Sequence, residues 1–327
     1  MAVEFPKMRC VAYIAVLFGA FLLCKYTYNQ SLWEMSHQII KDMQASRDPD
    51  GLHTKILKLF SDMTEDEHYV LAVLAMWPFV CRERFWYYML AIQLASFAKI
   101  NIKMIQSEPR PVWEWSDLPA GGCSSSFGSP SGHSTRSANF AFLLILDLFF
   151  ASEYSHNKYH ELRQMSPRTH PCSFVAISLV TVSFWLFNLY DRVALGKHGI
   201  NQVLLGSQLG IWCAFFSHFV LRDTIFSHFT KVTQKIGALS SRALAVRFAI
   251  TGTIVTMTSI LVTCVVGVVV NSKGHLQQKW LANLQNTCGE EYDVDEEGLL
   301  VANSSGMYYG SMAQYTSCMG LLGLYLG

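Results

Sequence analysis

The feature that most constrains this chain is the run of residues 248–270, FAITGTIVTMTSILVTCVVGVVV, which contains no charged side chain. An α-helix needs about 20 consecutive apolar residues to cross the hydrocarbon core of a bilayer. Because lipid provides no hydrogen-bond partners for the backbone, only helices and closed barrels span it. This segment therefore predicts a transmembrane helix.

Further apolar runs follow along the chain. Several are shorter than a full span, so we expect their helices to extend into the polar residues on either side. The chain is 51% hydrophobic and only 15% charged, whereas soluble domains carry about 25% charged residues. These observations predict an all-α, polytopic transmembrane protein with membrane helices near 10–24, 69–81, 85–100, 138–151, 173–190, 199–220, 248–270 and 308–327.

The first apolar run has two interpretations. Lys7 and Arg9 precede it, as basic residues precede the apolar segment of a signal peptide. However, no small-residue cleavage site follows the run, so we favour a retained membrane anchor.

Eight helices would place the connecting loops alternately on two sides of the membrane. On the first side the basic residues lie close to the spans, which is typical of cytoplasmic loops. Two Asn-x-Ser sequons, at Asn29 and Asn303, fall on the second side, where they suit a secretory lumen. We therefore expect the lumen or the exterior to face the second side, which comprises 25–68, 101–137, 191–198 and 271–307.

The nine cysteines show no metal-ligand spacing. Cys123 and Cys288 lie in polar loops of the second side and would pair in an oxidising compartment, although the sequence alone leaves that pairing open. The chain also has no block of basic residues of the kind that binds nucleic acid. We expect no metal, no other cofactor and no nucleic-acid partner.

Three polar stretches of the second side carry residues suited to chemistry. The first, KMIQSEPRP, places Lys103 and Arg110 nearly two helical turns apart, so that both cations would emerge on one face as the helix ends. The second, GSPSGHS, precedes the apolar run 138–151 and would offer backbone N–H groups to an anion. The third, YDRVALGKHGINQ, places Gln202 on the helical face of His198.

Each stretch alone has an ordinary structural explanation. Lysine and arginine side chains often snorkel at a membrane surface, and a histidine often ends a helix or lies in a loop. Together, however, the stretches bring cations, histidines and a helix N-terminus to one membrane face. Arginine forks and lysine bind phosphate oxygens, while histidines supply a nucleophile and a proton donor. The combination predicts a phosphate-ester site that contains Lys103, Arg110, His133, Arg192 and His198.

The order K-x6-R-P, P-S-G-H and R-x5-H resembles the motifs of the type 2 phosphatidic acid phosphatase (PAP2) superfamily. This resemblance covers about 103–202 and implies a six-helix core with its site on the non-cytosolic face. It implies that His198 attacks phosphorus and forms a phosphohistidine, and that His133 protonates the leaving alkoxide and then activates water. It also implies that the phosphate oxygens are held by Lys103, Arg110, Ser131, the Gly132 N–H and Arg192.

Two positions depart from the usual pattern of the superfamily. The third motif usually reads Ser-Arg, where this chain has Asp191-Arg192, and an Asp usually stands where this chain has Gln202. Gln202 would orient His198 by accepting the Nδ1 proton, but it adds no counter-charge. The His-x-x-x-Gln-Val pattern, the GSPSGH turn and the aromatic residues of RPVWEW resemble the glucose-6-phosphatases of this superfamily.

The resemblance thus implies an integral-membrane phosphomonoesterase in contact with membrane lipid, in the endoplasmic reticulum or another secretory membrane. A sugar phosphate similar to glucose 6-phosphate is the favoured substrate, and a lipid phosphate (phosphatidate, sphingoid-base or polyprenyl phosphate) is the alternative. A catalytically lapsed scaffold subunit is the alternative from another class. A transporter is disfavoured because the ionisable residues lie at helix ends rather than at mid-membrane.

The resemblance also divides the chain into three parts. Residues 1–68 would form an N-terminal membrane anchor and a polar loop, and residues 69–222 would form the PAP2 phosphatase core. Residues 223–327 would form a C-terminal transmembrane region with an acidic lumenal loop.

Overall fold

The computed structural model describes residues 7–64, 82–124, 126–150, 171–223 and 277–289, together with short pieces or single positions at 75, 225–226, between 246 and 269, 293–294 and 300–301. Its helices are α1 (Lys7–Thr27), α2 (Asn29–Ala45), α3 (Leu52–Met63), α4 (Arg82–Gln106), α5 (Pro111–Glu114), α6 (Gly132–Phe150), α7 (Pro171–Ala194), α8 (Ile200–Phe216) and α9 (Gln278–Cys288). A π-helical turn, Ser217–Leu221, continues α8, and two-residue strands, β1 (Asp293–Val294) and β2 (Leu300–Val301), form one antiparallel pair. The predicted all-α class is confirmed.

Among the described residues, two helical segments are long and apolar enough to cross a membrane: Cys172–Ala194 within α7, and Ile200–Leu221, which is α8 with its π-helical turn. Almost none of the apolar stretch of α7 is buried inside the protein, and Leu179 and Val180 are 63% and 68% exposed. So extensive an apolar helix surface is stable against lipid and unfavourable against water. The protein is therefore a membrane protein, as the sequence predicts.

Three of the other predicted spans correspond to helices of the structure. The runs 10–24 and 85–100 lie inside α1 and α4, and 138–151 coincides with the second part of α6. The run 308–327 falls outside the described residues, as do 69–81 apart from position 75 and much of 248–270.

The segment 25–68, expected to be a polar loop, is mostly helical. It contains α2 and α3, each of which buries one face, with Ile40 and Leu57 fully buried. Its polar residues therefore occupy the outer faces of amphipathic helices. The sequence interpretation missed these helices because it looked for unbroken apolar runs.

Helices α6 and α8 pack more extensively against each other than any other pair, and two glycines of α8 allow it. A Cβ added at Gly206 would lie 2.5 Å from the carbonyl oxygen of Ser131, and one at Gly210 would lie 2.1 Å from that of Thr135. The two backbones therefore approach closely only because these positions carry no side chain. Glycines four residues apart are typical of close helix packing in membranes. This contact brings the start of α6 against the first turns of α8.

Helix α4 packs along both of these helices. Ala95 of α4 lies in a buried cluster with Leu205 and Leu209 of α8, and Tyr88 lies in another with Leu143 of α6. The three helices therefore form the core of the described part of the chain.

One buried carboxylate holds the end of this core that is far from the three motifs. Asp147 of α6 pairs with Arg84 of α4 at 2.8 Å and with Arg222, which follows α8, at 3.0 Å. It also accepts a hydrogen bond from the hydroxyl of Tyr88 at 3.3 Å. Removing a carboxylate from water costs several kcal/mol unless it is paired and hydrogen-bonded. The two arginines meet that requirement and tie the three helices together.

Helices α2 and α3 lie across the turn that connects α7 to α8. The hydroxyl of Ser36 in α2 accepts a hydrogen bond from the Ile200 N–H at 2.8 Å. In α3, the hydroxyl of Ser61 accepts one from Nζ of Lys197 at 2.7 Å. The two amphipathic helices thus hold the turn that carries the third motif.

Helix α9 holds the loop between α5 and α6 in place. The indole N–H of Trp280 donates to Glu114 of α5 at 2.7 Å. A disulfide joins Cys123 of this loop to Cys288 at the end of α9. The pairing that the sequence left open is therefore present, and it anchors the loop that leads into the second motif.

We predict that Gly210→Ala strongly destabilises the protein, because the new Cβ would overlap the Thr135 carbonyl and force α6 and α8 apart. Overpacking of this kind typically costs about 1–3 kcal/mol. The matched control is Gly19→Ala in α1, where an added Cβ meets nothing within 4 Å. Thermal unfolding of the purified protein in detergent measures both. Equal melting temperatures for the two variants would contradict the close-contact explanation.

Candidate active site

The two cations of the first motif converge on one serine. Lys103 lies in the last turn of α4, and after Ser107, whose φ is +46°, the chain leaves the helix before it reaches Arg110. Arg110 donates from Nε to the Ser126 carbonyl and from Nη2 to the Ser126 hydroxyl, each at 2.7 Å. Nζ of Lys103 lies 3.5 Å from the same hydroxyl. The cations meet as expected, but not on one helical face, because the helix ends between them.

The second motif forms the start of α6. Because α6 begins at Gly132, its first backbone N–H groups have no partner within the helix. Ser131 is fully buried; its N–H donates to the Gln202 carbonyl at 3.0 Å, and its hydroxyl accepts from Ser134 at 3.1 Å. Nε2 of His133 is buried without a hydrogen-bond partner. Such a nitrogen is costly to the unliganded fold, and a bound ligand would satisfy it.

The third motif places Arg192 in the last turn of α7. Its Nε and Nη2 donate to the two carboxylate oxygens of Asp191 at 2.9 and 2.8 Å, and both side chains are buried. A bidentate pair of this kind fixes the plane of the guanidinium. The nitrogen that Asp191 does not bind, Nη1, therefore points away from that carboxylate. The Arg192 carbonyl accepts the N–H groups of Lys197 and His198 at 3.0 and 3.3 Å. The backbone thus positions His198 directly from Arg192.

Gln202 orients His198. Its Nε2 donates to the Pro109 carbonyl at 2.7 Å, which turns its Oε1 towards the imidazole. That oxygen lies 3.3 Å from Nδ1 of His198 and also accepts the Gly199 N–H at 3.2 Å. Nδ1 therefore carries the proton, and the lone pair of Nε2 lies 3.4 Å from Nη1 of Arg110. The contact was predicted, although His198 lies just before α8 rather than on its face.

The electrostatics favour a neutral imidazole at this position. Burial lowers the pKa of His198 well below its usual value, and four neighbouring groups lower it further: Arg110, Lys103, Arg192 and His133. Burial and the nearby Arg192 also lower the pKa of Arg110, to about 10. At pH 7 His198 is therefore neutral and its Nε2 is unprotonated, whereas Arg110 remains a cation.

The structure thus brings the residues singled out from the three motifs to one end of the helical core. They are Lys103, Arg110, Ser131, Gly132, His133, Arg192, His198 and Gln202.

Two further residues of this site were missed from the sequence. Ser126 contacts both cations of the first motif. Its position in a serine-rich loop was the only sequence signal that could have pointed to it. Lys99 is buried in α4, and its Nζ lies 3.4 Å from where a Cβ of Gly132 would be. The available signal was its spacing of one helical turn before Lys103.

Asn29 belongs to the surroundings of this site rather than to the surface. Its Nδ2 donates to Glu108 at 3.2 Å, and its Oδ1 accepts from Asn201 at 2.9 Å. Glu108 also pairs with Lys25. Because both ends of the Asn29 amide are engaged beside the first and third motifs, the fold argues against a glycan there. The second sequon, at Asn303, lies outside the described residues.

Among the described residues, no group of three or more His, Cys, Asp or Glu side chains is placed to hold a metal ion. The charged groups gathered at the site are cations, apart from Asp191 and the paired Glu108. The arrangement therefore suits an anion.

The chain is similar to a known protein family and to a solved structure. Residues 84–225, which include all three motifs, match the family model described as the PAP2 superfamily. Among solved structures, the chain is similar to the transmembrane PAP2 type phosphatidylglycerolphosphate phosphatase from Bacillus subtilis, with 17% identity and a TM-score of 0.47 over 64% of this chain and 93% of that chain. A search of curated proteins found no match.

We predict that Gln202→Asp moves the acidic limb of the pH–rate profile to higher pH. A carboxylate beside Nδ1 favours the charged imidazole and raises the pKa of His198, and only the neutral form can attack. Gln202→Leu removes the acceptor and should lower activity at every pH. Gln208→Leu, a glutamine of the same helix outside the site, is the control. If both substitutions of Gln202 leave the wild-type profile unchanged, Gln202 does not orient His198.

Proposed function

We propose that this protein is an integral-membrane phosphomonoesterase that acts through a phosphohistidine on His198. The observation that carries the proposal is the buried imidazole of His198, which lies between Gln202 and the cations. The side-chain oxygen of Gln202 accepts the Nδ1 proton of His198, and the Nε2 lone pair of His198 faces the cations. The PAP2 match over 84–225 supports the same chemistry.

In the first step, the Nε2 lone pair of His198 attacks phosphorus. A P–N bond forms as the ester P–O bond breaks, and the leaving alkoxide takes a proton from His133, which would be protonated once the phosphate dianion binds beside it, because a nearby negative charge favours the imidazolium. In the second step, neutral His133 takes a proton from water while the water oxygen attacks phosphorus. The P–N bond breaks, inorganic phosphate leaves, and both histidines return to their starting forms.

The cations would hold the non-bridging oxygens during both steps. Ser126 fixes one edge of the Arg110 guanidinium, and Asp191 fixes one edge of Arg192. Donors fixed in this way need little reorganisation when charge builds up in the transition state. Lys103 and the Gly132 N–H would complete the set, and Ser131 would offer its hydroxyl proton.

A sugar phosphate similar to glucose 6-phosphate is the substrate we favour, because Gln202 and the GSPSGH turn resemble the glucose-6-phosphatases. A lipid phosphate is the second candidate, favoured by a different observation. Helix α3, which holds the turn before His198, exposes Leu52, Ile56, Leu59 and Met63 along one edge. That apolar edge would suit acyl or prenyl chains beside the headgroup site.

We further propose that the site faces the lumen or the exterior, with the chain in the endoplasmic reticulum or another secretory membrane. The positions of basic residues relative to the spans support this orientation. The disulfide between Cys123 and Cys288, at the same end as the site, also supports it, because disulfides persist in oxidising compartments.

To test the function, purified wild type and His198→Ala are assayed with sugar and lipid phosphates side by side. We expect hydrolysis by wild type, no turnover by the variant, and phosphate trapped on His198 of wild type when the reaction is quenched with alkaline detergent, which preserves the P–N bond. His53→Ala, an exposed histidine of α3, is the control and should stay active. A wild type inactive on every substrate would favour the scaffold alternative, and an active alanine variant would exclude His198 as the nucleophile.

To test the orientation, a cysteine is placed at Ser116 or at Asp223, at opposite ends of the core, after replacement of the other free cysteines. In sealed vesicles with their cytosolic face outward, an impermeant maleimide should label only the cysteine at 223. Labelling only at 116 would invert the proposed orientation.

A further inference from the structure

Lys99 is a buried cation that the proposed mechanism does not yet use. It lies in α4, one helical turn before Lys103, and is only 1% exposed. Its side chain lies against the glycine that starts α6: a Cβ at Gly132 would be 3.1 Å from its Cδ and 3.4 Å from its Nζ. The absence of a side chain at Gly132 therefore gives the Lys99 ammonium room beside the first N–H groups of α6.

The location gathers like charges in the unliganded protein. The N-terminus of a helix carries a partial positive charge, and Lys99 also acts electrostatically on Lys103 and His133. Burial strengthens the repulsion among these groups, because the protein interior screens charges less than water does. An anion beside Gly132 would reverse the balance, because every one of these positive charges would attract it.

We propose that Lys99 is a further phosphate-binding residue, which contacts the phosphoryl oxygen that the Gly132 N–H also binds. This inference rests on the proposed phosphatase function. It assigns two roles to Gly132: a backbone donor and a position without a side chain, which admits the Lys99 ammonium. Lys99 would approach the phosphoryl group from α4, on the side of His133, whereas Arg110 lies beside His198.

The experiment measures vanadate binding, because five-coordinate vanadate resembles the phosphoryl group in the transition state. Lys99→Met and Lys99→Gln remove the charge, whereas Lys99→Arg keeps it. We expect the neutral variants to raise the vanadate inhibition constant and KM by about 10- to 100-fold, the range for one charge-assisted hydrogen bond. The arginine variant should lose less than the neutral ones. Lys55→Met, which removes an exposed lysine of α3 outside the site, is the control and should leave the inhibition constant unchanged.

Binding is measured a second way, by the rise in melting temperature that saturating vanadate produces. This readout does not depend on turnover and should shrink in the neutral variants alone. If Lys99→Met and Lys99→Gln keep the wild-type inhibition constant within about twofold while wild type is active, Lys99 does not bind the phosphoryl group. Equal losses in the arginine and neutral variants would also overturn the proposal. If wild type neither hydrolyses phosphate esters nor binds vanadate, the proposed function itself fails.

Discussion

The close contact of α6 with α8 at Gly206 and Gly210 is the constraint on which the rest of the site depends. With a side chain at either glycine the two backbones could not approach. The approach lets the Ser131 N–H donate to the Gln202 carbonyl, so the start of α6 and the first turn of α8 become one unit. That unit carries His133 and Gly132 on one side and the residues that orient His198 on the other.

The arginines of the site are positioned by neutral or acidic groups of the chain before any ligand binds. Ser126 accepts two hydrogen bonds from Arg110, and Asp191 accepts two from Arg192. Asp191, which departs from the usual motif, thus has a clear structural use. The loop of Ser126 is anchored to α9 by the disulfide of Cys123, so a segment far along the chain contributes to the position of Arg110.

Much of the site was predictable because each motif is a short continuous segment whose residue types have few other uses in combination. The contact between Gln202 and His198 follows from their spacing, and so does the clustering of cations at helix ends. The chain path between motifs was less predictable. Ser107 turns the chain out of α4 and separates Lys103 from Arg110, and no apolar run marked α2 or α3, because amphipathic helices bury only one face.

The sequence by itself determined that this is an all-α membrane protein, because long apolar runs have few stable alternatives in lipid. It also determined which residue types meet at the candidate phosphate site. Only the tertiary structure decided that Lys99 joins them, that Ser126 holds Arg110, and that the Asn29 amide is used inside the fold. Each of these depends on contacts between elements distant in the chain, which local spacing does not encode. They became visible only once helix packing had set the distances between α4, α6 and α8.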